Sequence, residues 1–247
     1  MFQGLKGKVV LITGASGGLG SAMAQEFAAR GCKIGLHYHA GAAAARALLK
    51  KLPAPGPHAA LRADLRRNAD CRRLIVDCVR RLGHIDILIN NAGALIGQAP
   101  VDAVSERSFD EAFALHAKAP FLLSQAAFSI MKRRGGGRII NISSIGVKFA
   151  GFPNSAHYAA AKAALESLTL SFARAGAAHN ILVNAIRPGV ILTPFHDKAP
   201  KDMAKRIALI PLVRAGEPLD VARAALYLAS QAGSFITGQI LPVTGGE

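Results

Sequence analysis

The stretch VVLITGASGGLG, residues 9–20, decides how the rest of this chain is interpreted. Its first four residues are apolar and mostly β-branched, which is typical of a buried parallel strand. The glycines after Thr13 allow a sharp turn, and apolar residues at helical spacing then run through Met23 and Phe27 to a glycine stop at Gly31. This order predicts a strand, a tight turn and a helix.

The alternation of strand and helix continues to the end of the chain. Further strands are predicted at residues 33–38, 59–62, 85–90, 138–142, 181–186 and 240–243, and helices at 42–52, 68–82, 109–131, 157–174 and 219–229. Strands that alternate with helices form a parallel sheet covered on both faces by right-handed crossovers. The predicted fold class is therefore α/β: a doubly wound, Rossmann-like parallel sheet in three layers, formed by one domain over residues 1–247.

Composition places the chain among globular proteins. Hydrophobic residues make up 51% of its 247 residues and charged residues 18%, which is enough apolar surface for one large core. No apolar run reaches the roughly 18 residues that span a bilayer, and the first residues lack the pattern of a secretory signal. The three cysteines form no CxxC pair, so we expect reduced thiols, a cytoplasmic location, no membrane association and no metal site.

The chain is strongly basic, with a net charge of +15 and a pI near 10.4. In some proteins such an excess attracts nucleic acid, anionic membranes or acidic substrates. The basic residues, however, lie in scattered doublets such as Arg66-Arg67, Arg72-Arg73 and Arg80-Arg81. Most of these doublets fall in helical stretches, where a solvated face is the simpler interpretation. We therefore expect no nucleic-acid partner.

The glycine turn, TGASGGLG at residues 13–20, has the composition of a phosphate-binding loop. Glycines let the backbone approach a diphosphate, and the helix N-terminus that follows offers free N–H groups and a favourable dipole. A tight turn without a ligand is the alternative. In a doubly wound sheet, ligands bind at the carboxyl ends of the strands, where this turn lies. The candidate phosphate-binding residues are Gly14, Ser16, Gly18, Leu19 and Gly20.

Further short motifs follow the later strands. They are Asp64-Leu65 after the third, NNAG at 90–93 after the fourth, Ser143-Ser144 after the fifth, and then YAAAK at 158–162 and PGVILT at 188–193. A YxxxK pattern alone means little, because chance supplies it often. Together with the TGxxxGxG turn, the whole series resembles the short-chain dehydrogenase/reductase family, from about Lys8 to Gly246. Within that family the chain looks most similar to 3-oxoacyl-carrier-protein reductases and broad carbonyl reductases.

The resemblance implies an oxidoreductase that moves a hydride between a nicotinamide cofactor and a carbonyl or alcohol substrate. It also implies which residues bind the cofactor. On the adenosine side these are Asp64, Leu65, Asn91, Ala92 and Gly93. On the nicotinamide side they are Pro188, Gly189, Ile191 and Thr193, together with Tyr158 and Lys162.

Tyr158 and Lys162 suit proton transfer on chemical grounds alone. A carbonyl that accepts a hydride becomes an alkoxide and needs a proton donor, but a free tyrosine has a pKa near 10. Residues four apart lie on one helix face, so the Lys162 ammonium is expected to lower the pKa of the Tyr158 phenol and make it a general acid or base. Ser144 is expected to hold the substrate oxygen. The resemblance gives this role to Ser144 rather than Ser143, and adds a contact from Lys162 to the nicotinamide ribose.

His116 departs from the family pattern. It lies in a helical stretch where the family has an asparagine that completes the catalytic set, partly through a backbone carbonyl that holds a water near the lysine. Three interpretations stay open: a tuned proton relay, a neutral replacement and an impaired site. His116 therefore joins Ser144, Tyr158 and Lys162 as a candidate catalytic residue.

The end of the second strand bears on the choice of cofactor. An NAD enzyme usually has an acid there, which binds the ribose hydroxyls and repels a 2′-phosphate. This chain has Tyr38 in that place and His39 next to it, which favours NADP over NAD. Against this, Gly17 lies where many NADP-using relatives have a basic residue. His37 and His39 could also be solvated loop residues.

A substrate flap is expected around residues 190–215, because specificity usually lies in mobile loops. Five residues could make its pocket apolar or could belong to the core or an interface: Phe149, Phe152, Phe195, Leu209 and Ile210. An acyl-carrier protein is a candidate partner for the basic run Lys132–Arg134.

The resemblance also implies a homo-oligomer, a tetramer or a dimer. A different class of function is a non-catalytic nucleotide sensor or scaffold. Only His116 and Thr244-Gly245-Gly246, where relatives commonly have Asp-Gly-Gly, support that alternative.

Overall fold

The computed structural model describes residues 2–53, 56–151, 154–194 and 203–247. Its strands are β1 (Val9–Ile12), β2 (Lys33–Tyr38), β3 (Ala59–Arg62), β4 (Ile87–Asn90), β5 (Gly137–Ile142), β6 (Ile181–Pro188) and β7 (Ile240–Val243). They form one parallel sheet in the order β3-β2-β1-β4-β5-β6-β7. The order reverses between β1 and β4, which makes this the switch point where ligands of doubly wound sheets bind.

Helices cover both faces of the sheet. They are α1 (Gly18–Ala28), α2 (Ala42–Lys51), α3 (Asn68–Leu82), α4 (Glu106–Phe113), α5 (Ala119–Arg133), α6 (Ala156–Ala177), α7 (Met203–Ala208) and α8 (Pro218–Ala229). One buried apolar cluster joins the sheet to α1, α2 and α8, and a second joins it to α3, α5 and α6. The predicted three-layer, doubly wound α/β fold is confirmed.

The long helix predicted over residues 109–131 is not one regular α-helix. It consists of α4 and α5 joined by a π-helical turn, Ala114–Lys118, whose wider hydrogen bonding takes the Ala119 N–H to the Ala114 carbonyl. Turns of this kind are frequent at functional sites. His116 lies in the middle of this one.

Two smaller differences concern the ends of elements. β4 begins at Ile87, two residues later than predicted, and β6 runs on to Pro188. The helix α7 was not predicted, because six residues are too few for a helical period to be recognised. It lies in the segment predicted to be a substrate flap.

A chain of buried polar side chains ties the strands to the helices behind them. Asn90 Nδ2 donates to Ser124 Oγ at 3.1 Å and to Asn141 Oδ1 at 2.8 Å. Asn141 Nδ2 in turn donates to Thr169 Oγ1 at 2.9 Å. Since buried polar groups are costly unless paired, this chain fixes α5 and α6 relative to the ends of β4 and β5. The orientation of α6 matters most, because α6 carries Tyr158 and Lys162.

The cysteines are buried and unpaired. Burial raises the pKa of the thiols of Cys32, Cys71 and Cys78 to about 12, 11 and 12. Such thiols are unreactive and act as small apolar groups in the core. Among the described residues no group of three metal-binding side chains lies together. In the same residues, no helix combines the length and apolar character needed to cross a membrane.

Candidate active site

A cavity of about 780 Å³ lies at the carboxyl ends of the strands. The structure brings most of the predicted site residues to it. From the loops after β1, β2 and β3 these are Gly14, Ser16, Gly18, Leu19, His39, Asp64 and Leu65. From the loops after β4, β5 and β6, and from α6, they are Asn91, Ala92, Gly93, Ser144, Tyr158, Lys162, Pro188, Gly189, Ile191 and Thr193.

Three predicted site residues lie outside this lining. Gly20 packs within the fold, since a Cβ there would overlap the Gly14 carbonyl oxygen and would lie 2.7 Å from Asn91 Nδ2. Tyr38 is half-buried and packs against the apolar cluster of α1, α2 and α8. His116 is fully buried behind the cavity wall.

The glycine turn is locked to the loop after β4. Thr13 Oγ1 accepts the N–H groups of Asn91 and Ala92, both at 2.9 Å. Asn91 Nδ2 donates back to the carbonyls of Thr13 and Gly14. A Cβ on Gly14, whose φ is +62°, would lie 2.9 Å from the Ala92 Cα. Only glycine allows the two loops to approach this closely.

The start of α1 fits a diphosphate. Its N-cap residue, Gly17, makes no side-chain capping bond, the first turn holds no acidic residue, and nothing lies within 4 Å of a Cβ placed on Gly17. The first N–H groups of the helix are therefore open to the cavity, and the helix dipole favours an anion there. These are the groups that would hold the diphosphate of a dinucleotide.

His37 lines the cavity although the sequence did not predict it as a site residue. It is buried, its Nδ1 accepts the Gly14 N–H at 3.0 Å, and its Nε2 donates to the Ala63 carbonyl at 3.1 Å. Burial lowers the pKa of His37 to about 4, so the imidazole is neutral and keeps Nδ1 as an acceptor. His37 thus joins the glycine turn to the end of β3. No signal in the sequence separates it from a solvated loop histidine.

Arg66 is a second missed residue. Its guanidinium donates to both carboxylate oxygens of Asp64, at 3.1 and 3.0 Å, and His39 Nε2 lies 3.8 Å from the same carboxylate. These hydrogen bonds hold the pKa of Asp64 below its usual range. Arg66, His39 and Asp64 all line the adenosine end of the cavity. A doublet interpreted as a solvated face therefore supplies a cation to the site.

Tyr158 and Lys162 lie on one face of α6, as predicted from their spacing. Lys162 Nζ is 5.9 Å from the centre of the Tyr158 ring and donates to the Ile142 carbonyl at 2.6 Å. The Tyr158 phenol forms a hydrogen bond with the Ser144 side chain. The Ser144 hydroxyl also accepts the Gly146 N–H at 3.1 Å, which orients it at the end of β5.

Burial controls the charges of this pair. It raises the pKa of Tyr158 to about 12, and the hydrogen bond from Ser144 acts in the opposite direction. It lowers the pKa of Lys162 to about 7, and the Glu166 carboxylate opposes that shift. The expected lowering of the Tyr158 pKa by Lys162 is not found, and loss of solvent is the main cause of the shift to a higher value.

A buried carboxylate that the sequence analysis did not single out lies one turn beyond Lys162. Glu166 accepts the Ser143 hydroxyl at 2.6 Å and two bonds from the Arg187 guanidinium at 2.9 and 2.6 Å. Ser143 is thereby engaged away from Tyr158, whereas Ser144 contacts it. The two adjacent serines therefore have different partners.

His116 is held in one orientation. Its Nε2 donates to the Ala94 carbonyl at 2.9 Å, and its ring meets the Tyr158 ring edge-on with centroids 4.9 Å apart. Burial, with a smaller contribution from nearby Lys162, lowers the pKa of His116 to about 3. A histidine with this pKa is neutral at physiological pH.

Part of the predicted flap lies outside the described residues, namely 195–202 with Phe195, and so does Phe152. In the described part, Met203 and Arg206 of α7 line the cavity. Ile210 instead packs against Val190 and Ala215. Phe149 and Leu209 are exposed and do not line the described cavity.

Comparison with known proteins finds reductases and dehydrogenases that match nearly the whole chain. A family model described as Enoyl-(Acyl carrier protein) reductase matches residues 14–247. The 3alpha-hydroxysteroid dehydrogenase of Mediterraneibacter gnavus is 38% identical, over 99% of this chain and 98% of that protein.

Two solved structures extend the comparison. A blue fluorescent protein from a metagenomic library, in complex with NADPH, is 35% identical with a TM-score of 0.93, and 99% of each chain is covered. A 7 alpha-hydroxysteroid dehydrogenase, complexed with NADH and 7-oxo glycochenodeoxycholic acid, is 35% identical with a TM-score of 0.91, over 98% of this chain and 94% of that chain.

Proposed function

Because this chain belongs to the short-chain dehydrogenase/reductase family of NAD(P)-dependent oxidoreductases, we propose that it reduces the carbonyl group of an apolar ketone or 3-oxoacyl compound with NADPH. The observation that carries the proposal is the grouping of Ser144, Tyr158 and Lys162 in one cavity with the open N-terminus of α1. Tyr158 is the general acid.

Each catalytic residue has one role in the proposed reaction. A bound nicotinamide cofactor supplies the hydride. The Ser144 hydroxyl holds the carbonyl oxygen of the substrate, and the Tyr158 phenol donates its proton to that oxygen as negative charge develops there. Lys162, when protonated, stabilises the phenolate that Tyr158 leaves behind.

The electrostatics of Tyr158 suit a general acid. With a pKa of about 12, the Tyr158 phenol is protonated at neutral pH and is still far more acidic than an alkoxide, so donation is downhill. Oxidation of an alcohol needs the phenolate as a base, and this form is scarce at the same pH. The form of Tyr158 that predominates at neutral pH is thus the one that the proposed reduction uses.

The preference for NADPH rests on the adenosine end of the cavity. No acidic residue follows β2, where Tyr38, His39 and Ala40 lie instead. His39 and Arg66 place basic groups beside Asp64, within reach of a ribose substituent. The acid that usually stands at the end of the second strand and repels the 2′-phosphate is thus replaced, and the Arg66 guanidinium beside Asp64 supplies a cation that would attract it.

The substrate half of the cavity is mostly apolar. Its described wall includes Leu95, Ile96, Leu115 and Ile145, which suits a hydrophobic ketone or acyl chain. The exposed run Lys132–Arg134 at the end of α5 would suit an acidic carrier protein as donor of an oxoacyl group. A free thioester and its carrier-bound form, compared as substrates, test that partner.

A homo-oligomer is also proposed. Phe109, Leu170, Tyr227 and Phe235 expose apolar side chains on α4, α6, α8 and the turn before β7, which suits contacts between copies of the chain. Light scattering on the purified protein measures the oligomeric state, and a monomer at micromolar concentration would contradict this part of the proposal.

Fluorescence titration with NADPH and NADH is the first test of the function. We expect NADPH to bind at least about tenfold more tightly, a difference of about 1.4 kcal/mol. Apolar ketones and 3-oxoacyl thioesters should then be reduced, as followed by loss of NADPH absorbance. Tighter binding of NADH would overturn the cofactor assignment. NADPH binding without turnover of any carbonyl compound would favour a nucleotide-binding protein instead.

A further inference from the structure

The loop after β4 forms one wall of the substrate half of the cavity. In this β4 loop, residues 93–98, all but Gly97 line the cavity, and Leu95 and Ile96 present apolar side chains to it. The loop has no regular secondary structure. Two histidine side chains form hydrogen bonds to backbone carbonyls of this loop. These histidines therefore help to set the position of the wall.

His157 is the first of the two. It lies in the first turn of α6, is 3% exposed, and donates from Nε2 to the Ile96 carbonyl at 2.6 Å. It directly precedes Tyr158, so the residue that binds the wall and the residue that donates the proton share one helical turn. The hydrogen bond from His157 thereby fixes the wall relative to the phenol of Tyr158.

His116 is the second. It comes from the π-helical turn between α4 and α5, on a different element, and donates from Nε2 to the Ala94 carbonyl at 2.9 Å. A Cβ on Gly93 would lie 3.1 Å from His116 Cε1, so the ring also packs closely under the start of the loop. The π-helical turn thus places an imidazole against the wall.

The two rings share one protonation pattern. Each uses Nε2 to donate to a carbonyl, which requires the neutral Nε2–H tautomer or the cation. Within the described residues, Nδ1 of each ring is buried without a hydrogen-bond partner. An Nδ1–H in that position would be an unpaired buried donor, so the neutral tautomer with its proton on Nε2 is the form that fits. Both side chains therefore hold the loop through the Nε2–H donor.

We propose that His116 and His157 form a histidine clamp that fixes residues 94–98 of the β4 loop as the substrate wall and so determines which ketones bind. The clamp consists of positioning residues, since neither donates a proton in the reaction. This inference rests on the proposed function for the nature of the substrate. The glycine turn of the cofactor half is held separately, through Thr13 and Asn91, so the clamp is expected to act mainly on substrate binding.

The test compares two substitutions of His157. Glutamine places an amide N–H near the position of Nε2, whereas leucine has similar bulk and no donor. His157→Leu is expected to raise KM for an apolar ketone at least about tenfold, with kcat and the Kd for NADPH changed less than about threefold. His157→Gln is expected to keep KM within about threefold of the native value.

His116 is tested in the same way. Because its ring also packs on Tyr158, His116→Leu is expected to lower kcat as well as raise KM, and His116→Gln to recover KM more fully than kcat. His179→Leu is the matched control: His179 lies just beyond the other end of α6, where its ring packs on Phe128. This variant should leave KM, kcat and melting temperature unchanged.

A second readout does not require turnover. Thermolysin cleaves before leucine and isoleucine, so cleavage at Leu95 and Ile96 reports opening of the loop in the folded protein. Cleavage should be at least about tenfold faster in His157→Leu than in the native chain and close to native in His157→Gln. If no ketone is reduced, the proposed function fails, but this cleavage still decides whether the clamp holds the loop.

Three results would overturn the proposal. The first is equal impairment of KM in the leucine and glutamine variants, which would show that the donor is irrelevant. The second is a parallel loss of NADPH affinity. The third is thermolysin cleavage that is as slow in His157→Leu as in the native chain.

Discussion

Two irregular loops meet at the switch point of the sheet, and they differ in what fixes their shape. The glycine turn depends on a glycine conformation: Gly14 has a φ that side chains disfavour, and hydrogen bonds that its main chain forms with His37 and Asn91 hold it in place. The β4 loop is held by the imidazoles of His116 and His157. The first loop faces the proposed cofactor side and the second faces the proposed substrate side.

This difference between the two loops indicates which part of the binding site can vary among relatives. A loop shaped by its main chain depends on glycines, tolerates few side chains and suits a ligand that many relatives share. A loop held by side chains can be moved by one or two substitutions and suits a ligand that differs among relatives. The comparison predicts that variants in the two halves separate cofactor binding from substrate turnover.

Tyr158→Phe is the strongest test of that separation. Loss of the general acid is expected to lower kcat/KM about a thousandfold, which corresponds to about 4 kcal/mol. The Kd for NADPH should stay within about threefold, because phenylalanine keeps the aromatic ring and loses only the hydroxyl group. Steady-state kinetics and fluorescence titration measure the two quantities. If affinity and turnover fell together, the two halves would not be independent.

Gly20→Ala tests the other half. The added methyl group would overlap the Gly14 carbonyl and crowd Asn91, so the free energy of unfolding should fall by about 3 kcal/mol, with a large loss of NADPH affinity. Gly17→Ala is the control, because its φ of −168° suits any residue and its Cβ would meet open space. Its unfolding free energy should change by less than about 0.5 kcal/mol in urea. Equal destabilisation by the two alanines would refute this account of the turn.

The pH dependence of turnover tests the charge of Lys162 during catalysis. Since the pKa of Lys162 is lowered to about 7, its ammonium is present below that pH and lost above it. We expect kcat/KM for reduction to fall as pH rises through about 7, by up to tenfold per pH unit.

Glu166→Gln removes the carboxylate that raises the pKa of Lys162, so the fall in kcat/KM should move to lower pH. The Kd for NADPH at pH 6 should change little, about twofold at most. Arg187→Lys, which leaves the carboxylate in place, is the control. A pH profile of Glu166→Gln that coincides with the native one would exclude this role for Glu166.

Gly17→Arg has the smallest expected effect. The extended backbone and open space at this position accept the side chain, and its cation would lie near the adenosine end of the cavity. The ratio of NADPH to NADH affinity should rise about fivefold, or about 1 kcal/mol. A ratio that falls or stays constant would show that the cofactor's 2′-position lies elsewhere.

Most of the fold could be predicted because its signals are local. The strand Lys33–Tyr38 and the helix Asn68–Leu82 have the predicted bounds, since apolar runs and an amphipathic period are visible in the chain itself. The π-helical turn at Ala114–Lys118 could not be predicted in this way. It changes the hydrogen-bond pattern by one residue without interrupting the apolar pattern.

The same distinction between local and long-range signals applies to the residues of the site. Gly14 and Asn91 belong to motifs whose spacing is visible in the sequence, and both line the cavity. His37, His157 and Glu166 gain their meaning from partners 21 to 61 residues away, such as Ile96 for His157 and Arg187 for Glu166. Their environments arise only when the sheet is assembled. The shift of the Tyr158 pKa has the same origin, because it depends on burial and not on the spacing to Lys162.

Because its native thiols are buried, the protein is suited to labelling at a single introduced cysteine. Maleimides react with thiolates, and with pKa values of about 11 to 12 the three native cysteines hold almost none at pH 7. A cysteine introduced at Gln98, which is exposed on the β4 loop, would be the reactive site for a dye without removal of any native residue. The fluorescence of that dye would then follow the substrate wall in real time.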